Sequence, residues 1–325
     1  MNVLVTGGAG YIGSHFVHRL KHEATHQVVV VDDLSAGHRD AVPEGVPFVH
    51  ADIRDSRVVR DAIRQHRVTA IVHFASRIQV GESVRDPRLY YRDNLAAGIQ
   101  LLESALDEQV RIFVLSSTAA VYGDPEYTPI DEAHPTVPVN PYGATKLALE
   151  GVLASYASAY GISYAALRYF NASGASADAG LAERHDPETH LIPLVLDAAM
   201  GARPSLTVFG DDYATPDGTC VRDYIHVEDL ADAHLAALAH LEQGGTSGAW
   251  NLGTGQGYSV REVIAAVERV TGKSAPVVKG ARRAGDPPVL VALPDKAKLT
   301  FGWSARRSEL DEIVRDAYVA RFPGR

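Results

Sequence analysis

Short apolar runs alternate with amphipathic stretches along the first half of the chain. The apolar runs, rich in β-branched and aliphatic residues, predict strands at residues 2–6, 27–32, 46–50, 70–74, 111–116 and 163–169. Apolar residues at helical spacing predict helices between them, at residues 14–20, 57–66, 90–108 and 142–160. Strands that alternate with helices at this interval form right-handed βαβ units, so the pattern predicts a parallel sheet with helices on its faces.

The amino-acid composition of the chain changes after Asn171. Residues 172–186 are rich in Gly, Ala, Ser and Asp, and prolines become frequent beyond them. We therefore predict an α/β fold with a Rossmann-type doubly wound parallel sheet over residues 1–171 and a smaller α/β domain over residues 172–325. Residues 220–242 have the pattern of another strand-to-helix unit, which we expect to return to the first domain.

The first predicted strand opens directly into glycines at three-residue spacing, Gly7, Gly10 and Gly13, and a helical pattern follows. In this context the glycines allow a tight turn, let the backbone approach a pyrophosphate and permit close packing of strand and helix. Asp32 ends the next strand, about twenty residues further on, where a carboxylate can bond a ribose 2′-hydroxyl. Glycines alone would also fit a structural turn, but together with Asp32 they predict a dinucleotide site.

Composition narrows the class of protein. A length of 325 residues favours two domains, and 46% hydrophobic with 22% charged residues is typical of a globular chain. The net charge of −9 argues against a nucleic-acid partner. The single cysteine, Cys220, excludes an internal disulfide and suits a reducing compartment. With no apolar run long enough for a bilayer and no export signal before the first strand, we expect a cytoplasmic protein without a membrane partner.

Tyr142 and Lys146 are the strongest candidates for catalysis. They lie four residues apart in a predicted helix that follows Pro141, so their side chains share one helix face. A phenol has a pKa near 10, and a neighbouring ammonium would favour the phenolate. Thr118 ends an apolar strand at the sheet edge where ligands bind in open α/β folds, so its hydroxyl can bond the same substrate group. Chance placement of a Tyr and a Lys in a helix is the alternative.

The chain resembles the extended short-chain dehydrogenases/reductases, and within them the UDP-sugar 4-epimerases. The segments that carry the resemblance run from the glycine turn almost to the C-terminus: 6–15, 73–75, 80–83, 90–94, 121–123, 141–146, 167–171, 209–213, 221–227, 251–255, 282–283 and 285–287. Those in the second half are the more specific to the epimerases. The resemblance implies an enzyme that interconverts UDP-galactose and UDP-glucose with NAD as a bound cofactor, forms a homodimer and uses no metal.

Residue by residue, the resemblance implies a cofactor site and a substrate site. The residues implied to hold NAD are Gly7, Gly10, Tyr11, Ile12, Asp32, Asp52, Ile53, Phe74, Asn94, Tyr142, Lys146 and Phe170. The residues implied to hold the UDP-sugar are Thr118, Asn171, His190, Leu191, Phe209, Arg222, Arg282, Asp286 and Leu290. Arginines in the second domain suit this role because guanidinium groups form bidentate, charge-assisted bonds with a diphosphate.

The implied mechanism is a transient oxidation at C4 of the sugar. Tyr142 takes the proton from O4 while hydride passes to NAD, Thr118 steadies the oxygen, and Lys146 lowers the pKa of Tyr142. The flat 4-keto sugar then turns over and receives hydride on its other face. Departures from the pattern of relatives at Ile78, His190 and Leu290 bear on which sugar fits.

Three alternatives remain open on sequence alone. The first is an epimerase that also acts on UDP-N-acetylhexosamines, with Leu290 beside the C2 group. The second is a sugar-nucleotide dehydratase, which needs an acid/base pair directly after the hydroxyl residue, where this chain has Ala119 and Ala120. The third is a non-catalytic NAD-binding protein of the same fold, which would usually lack Tyr142 or Lys146.

Overall fold

The structure, a computed structural model, describes residues 1–23, 26–283 and 285–324. Its strands are β1 (Asn2–Thr6), β2 (Gln27–Asp32), β3 (Phe48–His50), β4 (Ala70–His73), β5 (Ile112–Thr118), β6 (Ser163–Tyr169), β7 (Asn171–Ser173), β8 (Leu206–Phe209), β9 (Val221–Arg222), β10 (Tyr224–His226), β11 (Gly248–Leu252), β12 (Tyr258–Ser259), β13 (Val277–Gly280) and β14 (Val289–Leu290). Its helices are α1 (Tyr11–Lys21), α2 (Ser56–His66), α3 (Val80–Arg85), α4 (Pro87–Tyr90), α5 (Ala97–Asp107), α6 (Pro141–Tyr160), α7 (Leu191–Ala199), α8 (Val227–Glu242), α9 (Val260–Thr271), α10 (Asp295–Phe301) and α11 (Leu310–Arg321). No helix in these described ranges is long and apolar enough to cross a membrane.

The predicted parallel sheet is confirmed. Seven strands pair in the order β11-β6-β5-β4-β1-β2-β3, and every neighbouring pair is parallel. One core cluster lies between one face of the sheet and helices α1 and α8, and a second lies between the other face and helices α2, α5 and α6. Because both faces are covered, the strands are continuous apolar runs with no polar alternation.

Strand β11 was not predicted from the sequence. It adds to the edge of the sheet beside β6, with Leu252 opposite Tyr169. Helix α8 packs on α1 in the same core cluster, so the chain after residue 220 contributes both a helix and a strand to the first layer. The division of the chain at residues 171 and 172 stays a prediction.

The helix expected over residues 90–108 is interrupted. It begins as α4, passes through a π-helical turn at Tyr91–Ala96 and continues as α5. Hydrophobic periodicity does not distinguish a π turn from an α turn over six residues, and such turns are frequent at functional sites.

The remaining elements form a smaller layer beyond the carboxyl edge of the sheet. Three short sheets pair β10 with β7, β9 with β12 and β14, and β8 with β13. Helices α7, α9 and α11 pack around a third core cluster that includes Val195, Val263 and Ile313. Strand β7 follows β6 after a single residue, so this layer starts where the main sheet ends.

A buried ion pair joins α6 to the sheet. Arg168 in β6 bonds both carboxylate oxygens of Glu150 in α6, with an Nη2 to Oε2 distance of 2.5 Å, and both side chains are 8% exposed. The Ser117 hydroxyl donates to the same carboxylate, while Arg168 Nη1 donates to the Tyr122 hydroxyl at 3.0 Å. Tyr122 in turn donates to Asn251 Oδ1 in β11 at 2.6 Å. The pair is therefore fully hydrogen-bonded, the condition under which buried charges are tolerated.

We expect Glu150→Ala to lower the free energy of unfolding by about 3–5 kcal/mol, because it leaves Arg168 charged and unpaired in the core. Urea denaturation measures the change. The matched control is Glu103→Ala, which removes an exposed glutamate from α5. A combined Glu150→Leu and Arg168→Met variant should lose less free energy of unfolding than Glu150→Ala does. Equal losses for Glu150→Ala and Glu103→Ala would contradict the role of the ion pair.

Candidate functional site

Gly7, in the glycine turn between β1 and α1, and Gly13, in the first turn of α1, have no room for a side chain. Gly7 has a φ of +73°, and a Cβ there would lie 2.5 Å from the backbone nitrogen of Ala75. A Cβ on Gly13 would lie 2.2 Å from the carbonyl oxygen of Gly7. The turn thus requires glycine for its own geometry, as the sequence pattern predicted.

The turn presents free donors at the start of α1. Gly10 is the N-cap, and no side chain in the described ranges caps this helix end. The N–H groups at Tyr11 and Ile12 and the positive end of the helix dipole therefore face the carboxyl edge of β1, an arrangement that suits a pyrophosphate. This set of backbone donors fits the dinucleotide that the resemblance implies.

Asp32, the last residue of β2, lies at the same edge of the sheet. Its Oδ2 accepts from Ala9 N at 2.9 Å and its Oδ1 accepts from Leu34 N at 2.8 Å. Burial raises the pKa of Asp32, and these two backbone hydrogen bonds act in the opposite direction. Each oxygen keeps a lone pair that can accept from a ribose hydroxyl, as expected.

Asn94 and Phe74 are also implied at the cofactor site, and their side chains support the loop that follows β4. Asn94, in the π turn, is 1% exposed, and its side chain bonds the backbone nitrogen and oxygen of Arg77 at 2.8 and 3.0 Å. The Phe74 ring packs against Phe16 and His234 in the core, which leaves its backbone for contacts at the edge. Both residues hold the loop after β4 in place.

Asp52 and Ile53 follow β3 at the same edge. Asp52 is paired with Arg54 at 2.5 Å, and this hydrogen bond holds the pKa of Asp52 below its usual value. The Ile53 side chain is 7% exposed and belongs to the core cluster beneath α2.

Helix α6 carries Tyr142 and Lys146 in its first two turns. Asn140 caps the helix by accepting from Gly143 N at 2.9 Å, and Pro141 starts it. A Cβ on Gly143 would lie 2.4 Å from the carbonyl oxygen of Ala120, so glycine lets α6 approach the end of β5 closely. Tyr142 and Lys146 are thereby brought to the carboxyl edge of the sheet.

Lys146 is buried and hydrogen-bonded. The residue is 2% exposed, and its Nζ donates to the carbonyl oxygen of Ser116 at 2.8 Å. Burial lowers the pKa of Lys146 to about 7, and Glu150 acts in the opposite direction. An ammonium has three donors, so this group keeps donor capacity for a ligand.

Tyr142 and Thr118 meet across α6 and β5. Burial raises the pKa of Tyr142, and a hydrogen bond with the Thr118 side chain lowers it. We expected Lys146 to favour the phenolate; here burial is the larger influence and the pKa stays above its usual value. Thr118 Oγ1 also accepts from Ala120 N at 3.1 Å. The hydroxyl and the phenol form the pair that the sequence predicted.

Asp223 joins the second layer to this edge. It is fully buried, and its carboxylate accepts from Thr254 N, Gly255 N and Ala292 N at 2.9, 3.1 and 3.2 Å. Its own backbone accepts from Asn171 N at 3.0 Å. The loops after β11 and β14 are therefore tied to the start of β7.

Several residues implied at the substrate site meet around this anchor. Leu290 lies opposite Arg222 in the pairing of β14 with β9. The Leu290 side chain packs on a small apolar cluster that contains Ala119, with Phe170 beside it. Arg222 is 8% exposed and pairs with Asp286. Leu290 and Arg222 are thus strand partners, and Leu290 packs on the apolar cluster that follows Thr118 in the chain.

A second group of the implied residues surrounds Tyr213. The Arg282 guanidinium lies 4.3 Å from the centre of the Tyr213 ring and bonds Asp212 at 2.6 Å. The Arg283 guanidinium lies 4.0 Å from the centre of the Phe209 ring. Burial and Asp286 raise the pKa of Tyr213, and Arg282 and Arg222 lower it, so both arginines are near this tyrosine. An aromatic and cationic patch of this kind suits a nucleotide.

His190 lies in a cluster of its own. Its Nδ1 is 2.6 Å from Glu183 Oε1, and it is the N-cap residue of α7. Leu191, the first residue of α7, packs against the third core cluster.

Sequence reasoning missed two groups that shape the site. Ser116 supplies the carbonyl that holds Lys146, and Glu150 anchors α6 one turn further along. A carbonyl contact has no sequence signature, but Lys146 and Glu150 at the (i, i+4) spacing share a helix face with Tyr142 and mark that face as buried.

Comparisons with known proteins agree with this geometry and confirm the resemblance. A profile of the NAD dependent epimerase/dehydratase family matches residues 3–253. The UDP-glucose 4-epimerase of Halalkalibacterium halodurans is 47% identical over 318 residues, which are 98% of this chain and 95% of the relative. The crystal structure of UDP-glucose 4-epimerase from Brucella ovis in complex with NAD has a TM-score of 0.95 and 50% identity, covering 98% of this chain and 97% of that one.

A third similar protein was solved with a sugar nucleotide. The structure of UDP-glucose-4-epimerase from Stenotrophomonas maltophila, with bound NAD and formylated UDP-arabinopyranose, has a TM-score of 0.95 and 42% identity, covering 99% of this chain and 98% of that one. Matches of this extent, over a fold with the same dinucleotide turn, show that the chain belongs to the NAD dependent epimerase/dehydratase family.

Proposed function

We propose that this protein is a UDP-glucose 4-epimerase that interconverts UDP-galactose and UDP-glucose with tightly bound NAD. The observation that carries the proposal is the pairing of Tyr142 with Thr118 at the sheet edge, with Lys146 one turn along α6. Relatives that are 47–50% identical over nearly the whole chain are UDP-glucose 4-epimerases. The enzyme is therefore an isomerase.

In this mechanism Tyr142 exchanges a proton with O4 of the sugar and Thr118 bonds the same oxygen. When bound, NAD would supply the acceptor for the C4 hydride and, in its reduced form, the hydride donor for the opposite face of the sugar. Tyr142 gives its proton back to O4 at the end, so the enzyme regains its starting state. Placing the phenol and the hydroxyl within reach of one oxygen supplies orientation as well as acid–base help.

Lys146 has a positioning and electrostatic role in this proposal. In the nucleotide-free site burial disfavours both the phenolate of Tyr142 and the ammonium of Lys146. It raises the pKa of Tyr142 and lowers that of Lys146 to about 7. Anionic phosphates at the neighbouring helix terminus would restore the ammonium, which then favours the phenolate.

We propose that Arg222, Arg282 and Asn171 hold the nucleotide end of the substrate. Arg282 lies over the Tyr213 ring, Arg222 is near the same tyrosine, and Arg283 lies over the Phe209 ring, so cationic groups are combined with aromatic faces. The ion pair of Arg222 with Asp286 and that of Arg282 with Asp212 keep both guanidinium groups oriented before a diphosphate arrives.

The rival functions fit the structure less well. After Thr118 the chain forms a short 3-10 turn at Ala119–Val121, where a dehydratase would need a proton-transferring pair. A non-catalytic NAD-binding protein would have no use for a buried tyrosine, threonine and lysine that converge on one edge.

We also propose a cytoplasmic homodimer. The free thiol of Cys220 is consistent with a reducing compartment. Apolar side chains at Val80, Val84 and Tyr91 are 45%, 61% and 46% exposed on neighbouring helical segments, a surface that a second copy would cover.

Purified protein given UDP-galactose without added NAD should form UDP-glucose, and Tyr142→Phe should lower kcat about 10²–10⁴-fold. Chromatography of the sugar nucleotides measures the conversion. The matched control is Tyr160→Phe at the exposed end of the same helix. Thr118→Val should lower kcat more than Thr118→Ser does and less than Tyr142→Phe does. Near-normal turnover in Tyr142→Phe would rule out its proton-transfer role.

Nucleotide-free protein should become more stable between about pH 7 and pH 10 because of Lys146. The folded pKa of about 7 is below the unfolded value near 10.4, so the unfolded chain binds more protons in this window and stability rises with pH. Comparing urea denaturation of parent and Lys146→Met should show a difference in slope of up to about 1.4 kcal/mol per pH unit. Lys298→Met, at an exposed position, should keep the parent slope. Identical slopes for all three proteins would mean that the lysine is not desolvated.

Leu290 should influence which sugar is accepted. We expect efficient turnover of UDP-glucose and UDP-galactose and weaker turnover of UDP-N-acetylglucosamine. Leu290→Tyr should lower, and Leu290→Ser should raise, relative kcat/KM for the N-acetylated substrate by about 10-fold or more. Leu299→Tyr, at a position 86% exposed on α10, is the control. The same substrate ratio in all variants would show that Leu290 is only a packing residue.

A further inference from the structure

Two glutamates and two histidines converge in the segment that precedes α7. The sequence repeats the pattern Glu-x-His twice, at Glu183 and His185 and again at Glu188 and His190. One ligand atom from each side chain lies within 4.8 Å of all the others. The two glutamate side chains are 7% and 8% exposed, His185 is 18% exposed and His190 is 38% exposed. The cluster is closed on one side and reachable through His190.

The four carboxylate–imidazole distances within the cluster bracket the spacing of ligands around a tetrahedral metal ion. Glu183 Oε1 lies 3.1 Å from His185 Nδ1 and 2.6 Å from His190 Nδ1. Glu188 Oε1 lies 3.8 and 3.3 Å from the same two nitrogens. Bonds of 2.0–2.1 Å to zinc place tetrahedral ligands about 3.3 Å apart. Only small movements would therefore bring these atoms into coordination.

One oxygen of the Glu188 carboxylate lacks a partner. Oε2 of Glu188 is buried, and no polar atom in the described part of the chain bonds it. The other oxygen of this carboxylate is fixed by the backbone N–H groups of Thr189 and His190 at 2.8 and 2.9 Å. A buried carboxylate oxygen without a donor is costly unless something else satisfies it. A cation would do so, and the backbone contacts already orient the group.

Charge balance also suits a divalent cation. Without metal, the carboxylates of Glu183 and Glu188 lie within ion-pairing distance of the two histidines. A dication bound by two carboxylates and two neutral imidazoles has no net charge. Two nitrogens among four ligands favour zinc over calcium or magnesium, which take six or more ligands and prefer oxygen.

We propose that Glu183, His185, Glu188 and His190 form a structural binding site for zinc or a similar divalent transition-metal ion. All four ligands come from the protein, as in closed structural sites. The site goes beyond the proposed function, because none of the acid–base steps uses it.

The position of the site suggests what the ion does. His185 contacts the ring of Tyr11, the first residue of α1, edge-on with 6.1 Å between ring centres. Arg184 pairs with Asp40 at 2.6 Å, and Arg321 in α11 reaches the Glu183 carbonyl at 3.3 Å. A metal ion here fixes the segment between the glycine turn and the helices of the second layer.

Metal analysis of the untagged full chain tests the proposal. After incubation with zinc and desalting, the parent should retain about one zinc per chain. Glu188→Gln and His185→Gln should each weaken binding by more than about 100-fold, because losing a direct ligand costs more than losing a supporting group. The matched control is the combined His18→Gln and His22→Gln variant, which removes an accessible histidine pair at the C-terminal end of α1. This control should bind zinc like the parent.

Two further measurements on the parent keep the result independent of variant folding. Cobalt added to metal-free protein should give the strong visible absorption of a tetrahedral site, and zinc should raise the melting temperature by several degrees. The proposal is overturned if the parent retains no zinc, if its cobalt complex has the weak absorption of an octahedral ion, or if only the α1 control loses binding. Each of these readouts is independent of epimerase activity.

Discussion

The contact between the start of α6 and the end of β5 is the constraint on which the site depends. Lys146 Nζ bonds the Ser116 carbonyl, and Gly143 lets the helix lie against Ala120. Four residues later Glu150 is held by Arg168 in the next strand. Because α6 is fixed to two neighbouring strands within two turns, the phenol of Tyr142 has little freedom relative to Thr118, which is what orientation in catalysis requires.

The second layer is attached to that edge by parallel pairing and by a buried carboxylate. Strand β10 pairs with β7 directly after β6, and Asp223 collects donors from two loops. Leu290, more than a hundred residues from Thr118 in sequence, is thereby held against the apolar cluster that includes Ala119. The same construction attaches the second layer, which carries Arg222 and Arg282, to the carboxyl edge of the sheet, where ligands bind in other open α/β folds.

The segment around His190 connects these two parts. It contacts Tyr11 on the glycine turn and leads into α7, whose apolar face belongs to the third core cluster. The resemblance to relatives implies that His190 binds substrate, whereas the contacts of its side chain in the structure are with Glu183 and Glu188. The two roles differ in chemistry, since a histidine bound to a metal ion cannot also use the same nitrogen for a ligand.

The sequence by itself determined the elements whose signals are local. Continuous apolar runs fixed the parallel strands, the glycines with Asp32 marked the dinucleotide turn, and the spacing of Tyr142 and Lys146 placed both on one helix face. Only the tertiary structure decided that β11 completes the sheet, that burial opposes the charged forms of Tyr142 and Lys146, and that Glu150 meets Arg168. Pairing and desolvation depend on which distant residues surround a group, and that information is absent from any short stretch of sequence.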